Sequence, residues 1–117
     1  MISRRQRRVG KLLHRRISEL LERGMKDPRL SLVTVTGVKV SPDLRYARVY
    51  VSALGDQAEC QEVLSCLRHA KGFIRHEVGA HVRLRYTPEL SFHLDQSVER
   101  GQRIEELLDK IKRERDA

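Results

Sequence analysis

The spacing of apolar residues alternates along this chain between the period of a helix and the period of a strand, which favours a mixed fold. The first segment has helical spacing, shown by Val9, Leu12, Leu13, Ile17, Leu20 and Leu21. It predicts an amphipathic helix from about residue 4 to about residue 24. Gly24 is a suitable end point, and Asp27-Pro28 opposes any continuation of the helix.

Two strands joined by a turn are predicted next. Apolar and polar residues alternate over residues 33–36 and again, in the opposite phase, over residues 38–40. Gly37 stands where the phase slips, which predicts a β-bulge. Ser41-Pro42-Asp43-Leu44 has the composition of a turn. One face of the second strand then carries Ala47, Val49, Val51 and Ala53.

The opposite face of that second strand carries polar and aromatic side chains, namely Tyr46, Arg48, Tyr50 and Ser52. Tyrosines interleaved with arginine could stack on nucleic-acid bases. Tyrosines are also ordinary strand formers on the outer face of a sheet, and this second interpretation is favoured.

Residues 57–80 have helical spacing, with an apolar stripe made of Cys60, Val63, Leu64, Leu67, Ala70, Ile74 and Val78. Periodicity alone therefore permits one continuous helix. Phe73 lies off the stripe beside Gly72, and this pair favours two helices that meet at a kink. We expect the kink at Ala70 and Gly72, and we expect Gly72 to tolerate a side chain poorly.

A third strand region, residues 82–94, is divided by Pro88, which marks an edge, a bulge or the start of the true strand. Residues 97–117 then carry six acids, six bases and helically spaced Ile104, Leu107, Leu108 and Ile111. The chain therefore divides into an α+β domain over residues 1–96 and a C-terminal helix with a short solvated tail over residues 97–117. The domain is expected to have a three-stranded sheet with helices on one face.

Positive charge is concentrated near the N-terminus. The chain has 24 Lys and Arg against 16 Asp and Glu, and a pI of about 10.1, which indicates a polyanionic partner such as nucleic acid or an anionic membrane. Residues 1–16 contain seven basic side chains and no acidic one. Such self-repulsion is costly unless an anion relieves it. Opposite the apolar stripe of the first helix lie Arg4, Arg8, Lys11 and Arg15.

Catalytic and cofactor motifs are not found in the sequence. It contains neither a phosphate-binding glycine loop nor a nucleophile elbow, and its five histidines and two cysteines have no recognised zinc spacing. We therefore expect no enzyme activity, no metal and no cofactor. No apolar run is long enough for a bilayer or a signal peptide, and Cys60 and Cys66 fit unpaired thiols in a reducing cytoplasm.

The predicted order of helix, strand, strand, helix–helix, strand is that of the type II KH domain, an RNA-binding fold. The usual KH GxxG loop is absent, and Ala70-Lys71-Gly72 stands at the helix–helix junction. In this the chain resembles the ribosome-binding factor A family, where an Ala-x-Gly kink replaces that loop. Further matching stretches are Lys26-Asp27-Pro28-Arg29-Leu30, Ala47-Arg48-Val49-Tyr50-Val51-Ser52, Gly72-Phe73-Ile74-Arg75 and Pro88-Glu89-Leu90-Ser91-Phe92. The resemblance runs from about Arg4 to Leu108.

The resemblance implies a cytoplasmic, non-catalytic factor that binds the immature small (30S) ribosomal subunit. It further implies contact with 16S rRNA around the neck and near the 3′ end, and a role in late rRNA processing and cold adaptation. A monomer without a membrane contact is expected. The short tail ending at Ala117 differs from members with a long basic extension.

We expect binding to be carried by basic side chains that the fold positions, and most strongly by the first helix. The candidates for contact with RNA are Arg4, Arg8, Lys11, Arg15, Arg45, Lys71, Arg75, Arg83 and Arg85. Other interpretations remain open, including a DNA-binding protein, a different rRNA-binding KH-like module and a peripheral membrane protein anchored by the first helix.

Overall fold

The computed structural model describes residues 2–23, 25–96 and 110–114, and its elements follow the predicted order. They are α1 (Arg4–Glu22), a short 3₁₀ helix (Pro28–Leu32), β1 (Val33–Val40), β2 (Tyr46–Ala53), α2 (Gln57–His69), α3 (Lys71–His81) and β3 (Glu89–Leu94). The α+β prediction is confirmed. Residues 110–114 are helical and exposed, including Ile111, whereas the rest of the predicted C-terminal helix lies outside the described residues, as does Gly24.

Helix α1 begins at a capping box. The Ser3 hydroxyl accepts a hydrogen bond from the Gln6 backbone N–H at 3.1 Å, and the Gln6 side chain accepts one from the Ser3 N–H at 2.8 Å. Gln6 also donates its Nε2 to the Val40 carbonyl at 2.9 Å, which ties the start of α1 to the end of β1. Leu12, predicted within the apolar stripe, is instead 42% exposed, because it lies at the border of the polar face.

The sheet has the order β1-β2-β3, with β1 antiparallel to β2 and β3 parallel to β2. The predicted bulge is confirmed, since Val35 pairs with Val51 while Gly37 pairs with Tyr50. Thr36 is the extra residue between them. Beyond the bulge, Val38 packs against the same core as Val35, so the shift in hydrophobic phase keeps the apolar side chains of β1 toward the core.

Strand β3 is shorter than the region that the alternating pattern predicted. It begins at Glu89, directly after Pro88, and residues 82–88 form an irregular connection between α3 and β3. The Glu89 N–H donates to the Arg45 carbonyl at 2.7 Å and so starts the parallel pairing. Pro88 therefore stands at the start of the strand, and β3 is also an edge strand of the sheet, so two of the three roles considered for the proline are observed. Arg83 and Arg85 lie in the connection.

The predicted break between two helices is present and is located at Ala70, whose φ of −85° and ψ of 0° depart from helical geometry. Gly72 lies further on, inside the first turn of α3. The expectation that Gly72 tolerates side chains poorly is wrong, because a Cβ at this position would meet no atom within 4 Å. Phe73, which left the apolar stripe, is 54% exposed.

Gly72→Ala is expected to raise the free energy of unfolding by about 0.4–1 kcal/mol, because alanine restricts the unfolded chain and fits an open helical site. Chemical denaturation measures the change. Gly79→Ala is the matched control in the same helix, since its Cβ would approach Thr87 Oγ1 to 2.6 Å, and it should gain less. A Gly72→Ala variant less stable than the parent would show that the junction requires glycine.

The three helices pack on one face of the sheet, and the core lies between the two layers. Its fully buried side chains come from helices and strands alike, and include Leu13, Ile17, Leu21, Val49, Val51, Leu67, Ile74, Val78, Leu90 and Phe92. The opposite face of the sheet stays uncommitted to this core. Within the described residues no helix has the length and apolar character needed to cross a membrane.

Candidate nucleic-acid interface

The polar face of α1 presents the predicted row of basic residues. Arg4, Arg8, Lys11 and Arg15 are all exposed, and Arg15 forms an ion pair with Glu19 at 3.3 Å. An ion pair between exposed side chains is weak, so Arg15 can exchange this partner for a phosphate. Arg16 is different. It is buried and its Nη1 donates to Glu19 Oε2 at 3.3 Å, which makes it part of the packing.

A groove lies where the start of α1, the β1–β2 turn and the connection before β3 meet. Its volume is about 490 Å³. Five arginines line it and define what we call the arginine groove, namely Arg5, Arg8, Arg45, Arg83 and Arg85. Arginine presents a planar fork of donors that matches a phosphate group, so this arrangement suits a polyphosphate backbone.

The β1–β2 turn places Arg45 at the rim of the groove. Asp43 Oδ1 accepts hydrogen bonds from Ser41 Oγ at 2.6 Å and from the Arg45 N–H at 3.1 Å. The Ser41 hydrogen bond, followed by that of the Arg45 backbone, holds the pKa of the Asp43 carboxyl below its ordinary value. Leu44 takes the left-handed conformation with φ 63°. Asp43 is the one acid among the described residues that line the groove, and its oxygen already serves the turn.

The connection that carries Arg83 and Arg85 is held from α3. Arg75 donates to the Thr87 carbonyl at 2.9 Å and to the Pro88 carbonyl at 3.2 Å. These two bonds use much of the Arg75 guanidinium, so its position favours a structural role over the predicted RNA contact. The guanidinium of Arg85 lies 5.7 Å from the ring centre of Tyr86, which is 68% exposed at the groove.

The predicted RNA-binding residues thus fall into three places. Arg8, Arg45, Arg83 and Arg85 come together in the arginine groove. Lys71 and Arg75 lie at the start of α3, and Lys71 is exposed beside the break at Ala70. The remaining basic residues extend along α1, namely Arg4, Lys11 and Arg15. Sequence reasoning missed two groove residues, Arg5 and Tyr86.

The described part of the chain holds no group of three or more His, Cys, Asp or Glu side chains that could ligate a metal ion. Burial raises the pKa of the Cys66 thiol, which also accepts a hydrogen bond from Arg29 Nη2 at 3.1 Å. Hydrogen bonds from Arg29 hold the pKa of the Asp27 carboxyl far below its ordinary value. Asp27 and Arg29 together fix the start of the 3₁₀ helix.

Comparison with known proteins decides the family. The sequence model of ribosome-binding factor A matches residues 5–108. The chain belongs to the ribosome-binding factor A family. Its sequence is 46% identical over 117 residues to ribosome-binding factor A of Halothermothrix orenii, covering 100% of this chain and 96% of that one. The resemblance inferred from the Ala-x-Gly kink and its accompanying stretches is therefore confirmed.

Solved structures of the ribosome-binding factor A family share this fold. The crystal structure of ribosome-binding factor A from Thermus thermophilus is similar with a TM-score of 0.67 and 29% identity, covering 76% of this chain and 94% of that chain. A second Thermus thermophilus structure is a homology model fitted into a cryo-EM map of a 30S–ribosome-binding factor A complex. It gives a TM-score of 0.63 and 30% identity, covering 74% and 91%. The type II KH-like prediction is confirmed.

Proposed function

We propose that this chain is a ribosome assembly factor that binds the immature small ribosomal subunit through its 16S rRNA. We further propose that it acts in the cytoplasm as a monomer without catalytic activity. Its binding assists late rRNA processing and cold adaptation, and its contacts lie around the neck and near the 3′ end of the rRNA. Residues 1–96 act as the RNA-binding domain in this proposal, and residues 97–117 add a helix and a tail.

The arginine groove is the single observation that carries this proposal. Its arginines come from three separate segments, so the folded domain gathers charges that repel one another. Phosphates offset that repulsion and release their condensed counterions on binding. Membership of the ribosome-binding factor A family and the 30S complex of the Thermus thermophilus relative support the small subunit as the source of those phosphates.

Duplex DNA is the main competing partner. A recognition helix would have to enter the major groove of DNA. The apolar face of α1 packs on the sheet, and basic residues at its start line a concave groove. A groove lined with arginines on irregular segments suits the irregular backbone of folded rRNA better than a regular duplex. Competition between duplex DNA and rRNA at matched salt separates the two partners.

Sedimentation of the protein from a cell lysate tests the proposal. We expect the protein to migrate with small subunits and their precursors, and not with assembled ribosomes. Raising the salt should release it, because phosphate contacts weaken steeply with ionic strength. Migration with large subunits, or at the top of the gradient at low salt, would refute the proposed function.

A further inference from the structure

The outer face of the sheet, which turns away from the three helices, carries an unusual set of side chains. In the register of the strands this face holds Thr34, Lys39, Tyr46, Arg48, Tyr50, Ser52, Glu89, Ser91 and His93. Lys39, Tyr46 and Arg48 are exposed, and Tyr50 and His93 are partly exposed. The face therefore offers rings and cations to solvent, with one acid at its end and no aliphatic patch that would suit a hydrophobic partner.

Two rings meet at the centre of this face. Tyr50 on β2 is the direct register partner of His93 on β3, and their ring centres are 5.7 Å apart at an angle of 37°. His93 Nε2 lies 2.9 Å from Ser91 Oγ, which fixes the orientation of the imidazole. The ammonium of Lys39 lies 5.7 Å from the centre of the Tyr50 ring. The register also places Lys39 opposite Arg48, so two cations flank the ring pair.

Gly37 leaves open space above β1 beside Tyr50, and the only described cation over the Tyr50 ring is the mobile end of the Lys39 side chain. Gly37 is the register partner of Tyr50 on β1, and a Cβ there would meet no atom within 4 Å. Its φ is not in the left-handed region, so neither the backbone conformation nor a close contact requires glycine. Glycine inside a strand weakens the strand and marks either a bulge, which Gly37 also adjoins, or a place where a ligand approaches closely. The fold thus accepts a weaker strand and gains a vacant position beside an aromatic ring.

We propose that this outer face binds unpaired nucleotides of RNA, with a base stacked on Tyr50 in the space beside Gly37. Lys39 leaves the Tyr50 ring to contact a flanking phosphate, as Arg48 does, while His93 supports the Tyr50 ring from the far side. Bases stack on aromatic side chains whatever their sequence, and basic residues alongside follow the backbone. The inference rests on the proposed function only in taking rRNA as the source of the single strand. For Tyr50 it replaces the interpretation favoured from the sequence, that the tyrosines of β2 are ordinary strand formers.

Binding of a short unstructured RNA oligonucleotide, followed by fluorescence anisotropy, tests this inference. Tyr50→Thr keeps a strand-forming residue and removes the ring, and it should weaken binding about tenfold. Gly37→Thr fills the vacant position and should also weaken binding, while its melting temperature stays equal or rises. Tyr50→Phe should bind as the parent does. Phe73→Ala is the control, because it removes an exposed ring from α3 on the opposite side of the sheet, and it should bind as the parent does.

The same variants are then sedimented with purified small subunits, which separates this inference from the proposed function. If the parent binds subunits and both Tyr50→Thr and Gly37→Thr bind the oligonucleotide as the parent does, the stacking surface is overturned. The proposed function then still stands. A parent that does not bind the oligonucleotide overturns the stacking surface as well. Loss of subunit binding with unchanged oligonucleotide affinity assigns the face to a ribosomal protein instead. Weakened oligonucleotide binding supports the surface even if the parent ignores subunits.

Discussion

Replacing Arg8, Arg45, Arg83 and Arg85 together with alanine is expected to lower the affinity for small subunits roughly a hundredfold or more at about 0.1 M salt. Each of these arginines lines the arginine groove, and each is exposed, so the fold should survive the change. If all four contact phosphates, the slope of log affinity against log salt should flatten by roughly 3 units. A salt titration on purified subunits measures both quantities.

A charge-matched variant controls for the change in net charge. Arg23, Lys26, Lys110 and Lys112 are exposed basic residues that do not line the groove. Their joint replacement with alanine removes the same number of charges. This control should keep nearly the full salt slope, and both variants should melt as the parent does. Equal losses in the two variants would mean that overall charge, and not the groove, determines binding.

The row of basic residues along α1 provides a second comparison with the groove arginines. Arg4, Lys11 and Arg15 lie outside the groove lining, although the sequence favoured this helix as the main contact. If their replacement with alanine weakens binding more than the loss of the groove arginines, the interface runs along the helix, and the arginine groove is peripheral to it.

Phe92→Ala is expected to lower the free energy of unfolding by about 3–5 kcal/mol, the usual effect of removing a buried aromatic side chain. Phe92 is 1% exposed and points from β3 into the layer between sheet and helices. The loss is large against the roughly 5–15 kcal/mol by which domains are usually stable. Thermal and chemical denaturation followed by circular dichroism measure it.

Phe73→Ala is the matched control, because the chain has two phenylalanines and this one is exposed. Its effect on stability should stay within about 0.5 kcal/mol. A Phe92→Ala variant that also stays within that range would mean that β3 does not pack against the helices as described.

Features that change the hydrophobic period locally could be predicted from the sequence. The bulge at Gly37 shifts the alternation of β1 by one residue. The break at Ala70 was signalled by Gly72 beside Phe73, which stands off the apolar stripe and is exposed. Both signals arise within a few residues of the feature. The prediction that Gly72 tolerates side chains poorly was wrong, because a local pattern indicates a break but does not indicate the space around the residue.

The arginine groove could not be predicted because its residues are distant in the chain. Arg8 and Arg83 meet only when α1 lies closely on β1 and the connection before β3 folds against both. Gly10 allows that close packing, since a Cβ there would lie 3.2 Å from the Val38 carbonyl oxygen. The alternating pattern of residues 82–88 resembles a strand, but Arg75 engages the Thr87 and Pro88 carbonyls at its end, and pairing with β2 starts only at Glu89.

Parallel pairing of β3 with the central strand has a consequence for a chain that is still being synthesised. The N-terminal residues of a protein leave the ribosomal tunnel first, so α1 and the β1–β2 hairpin are available before β3 exists. Such a nascent chain already carries the basic residues of α1, but not Arg83, Arg85 or the strand that fixes their position. Under the proposed function, the attraction of this nascent chain to rRNA is only a general one between opposite charges. The groove is completed when Glu89–Leu94 joins β2, so under the proposed function the last strand to be synthesised completes the site for rRNA.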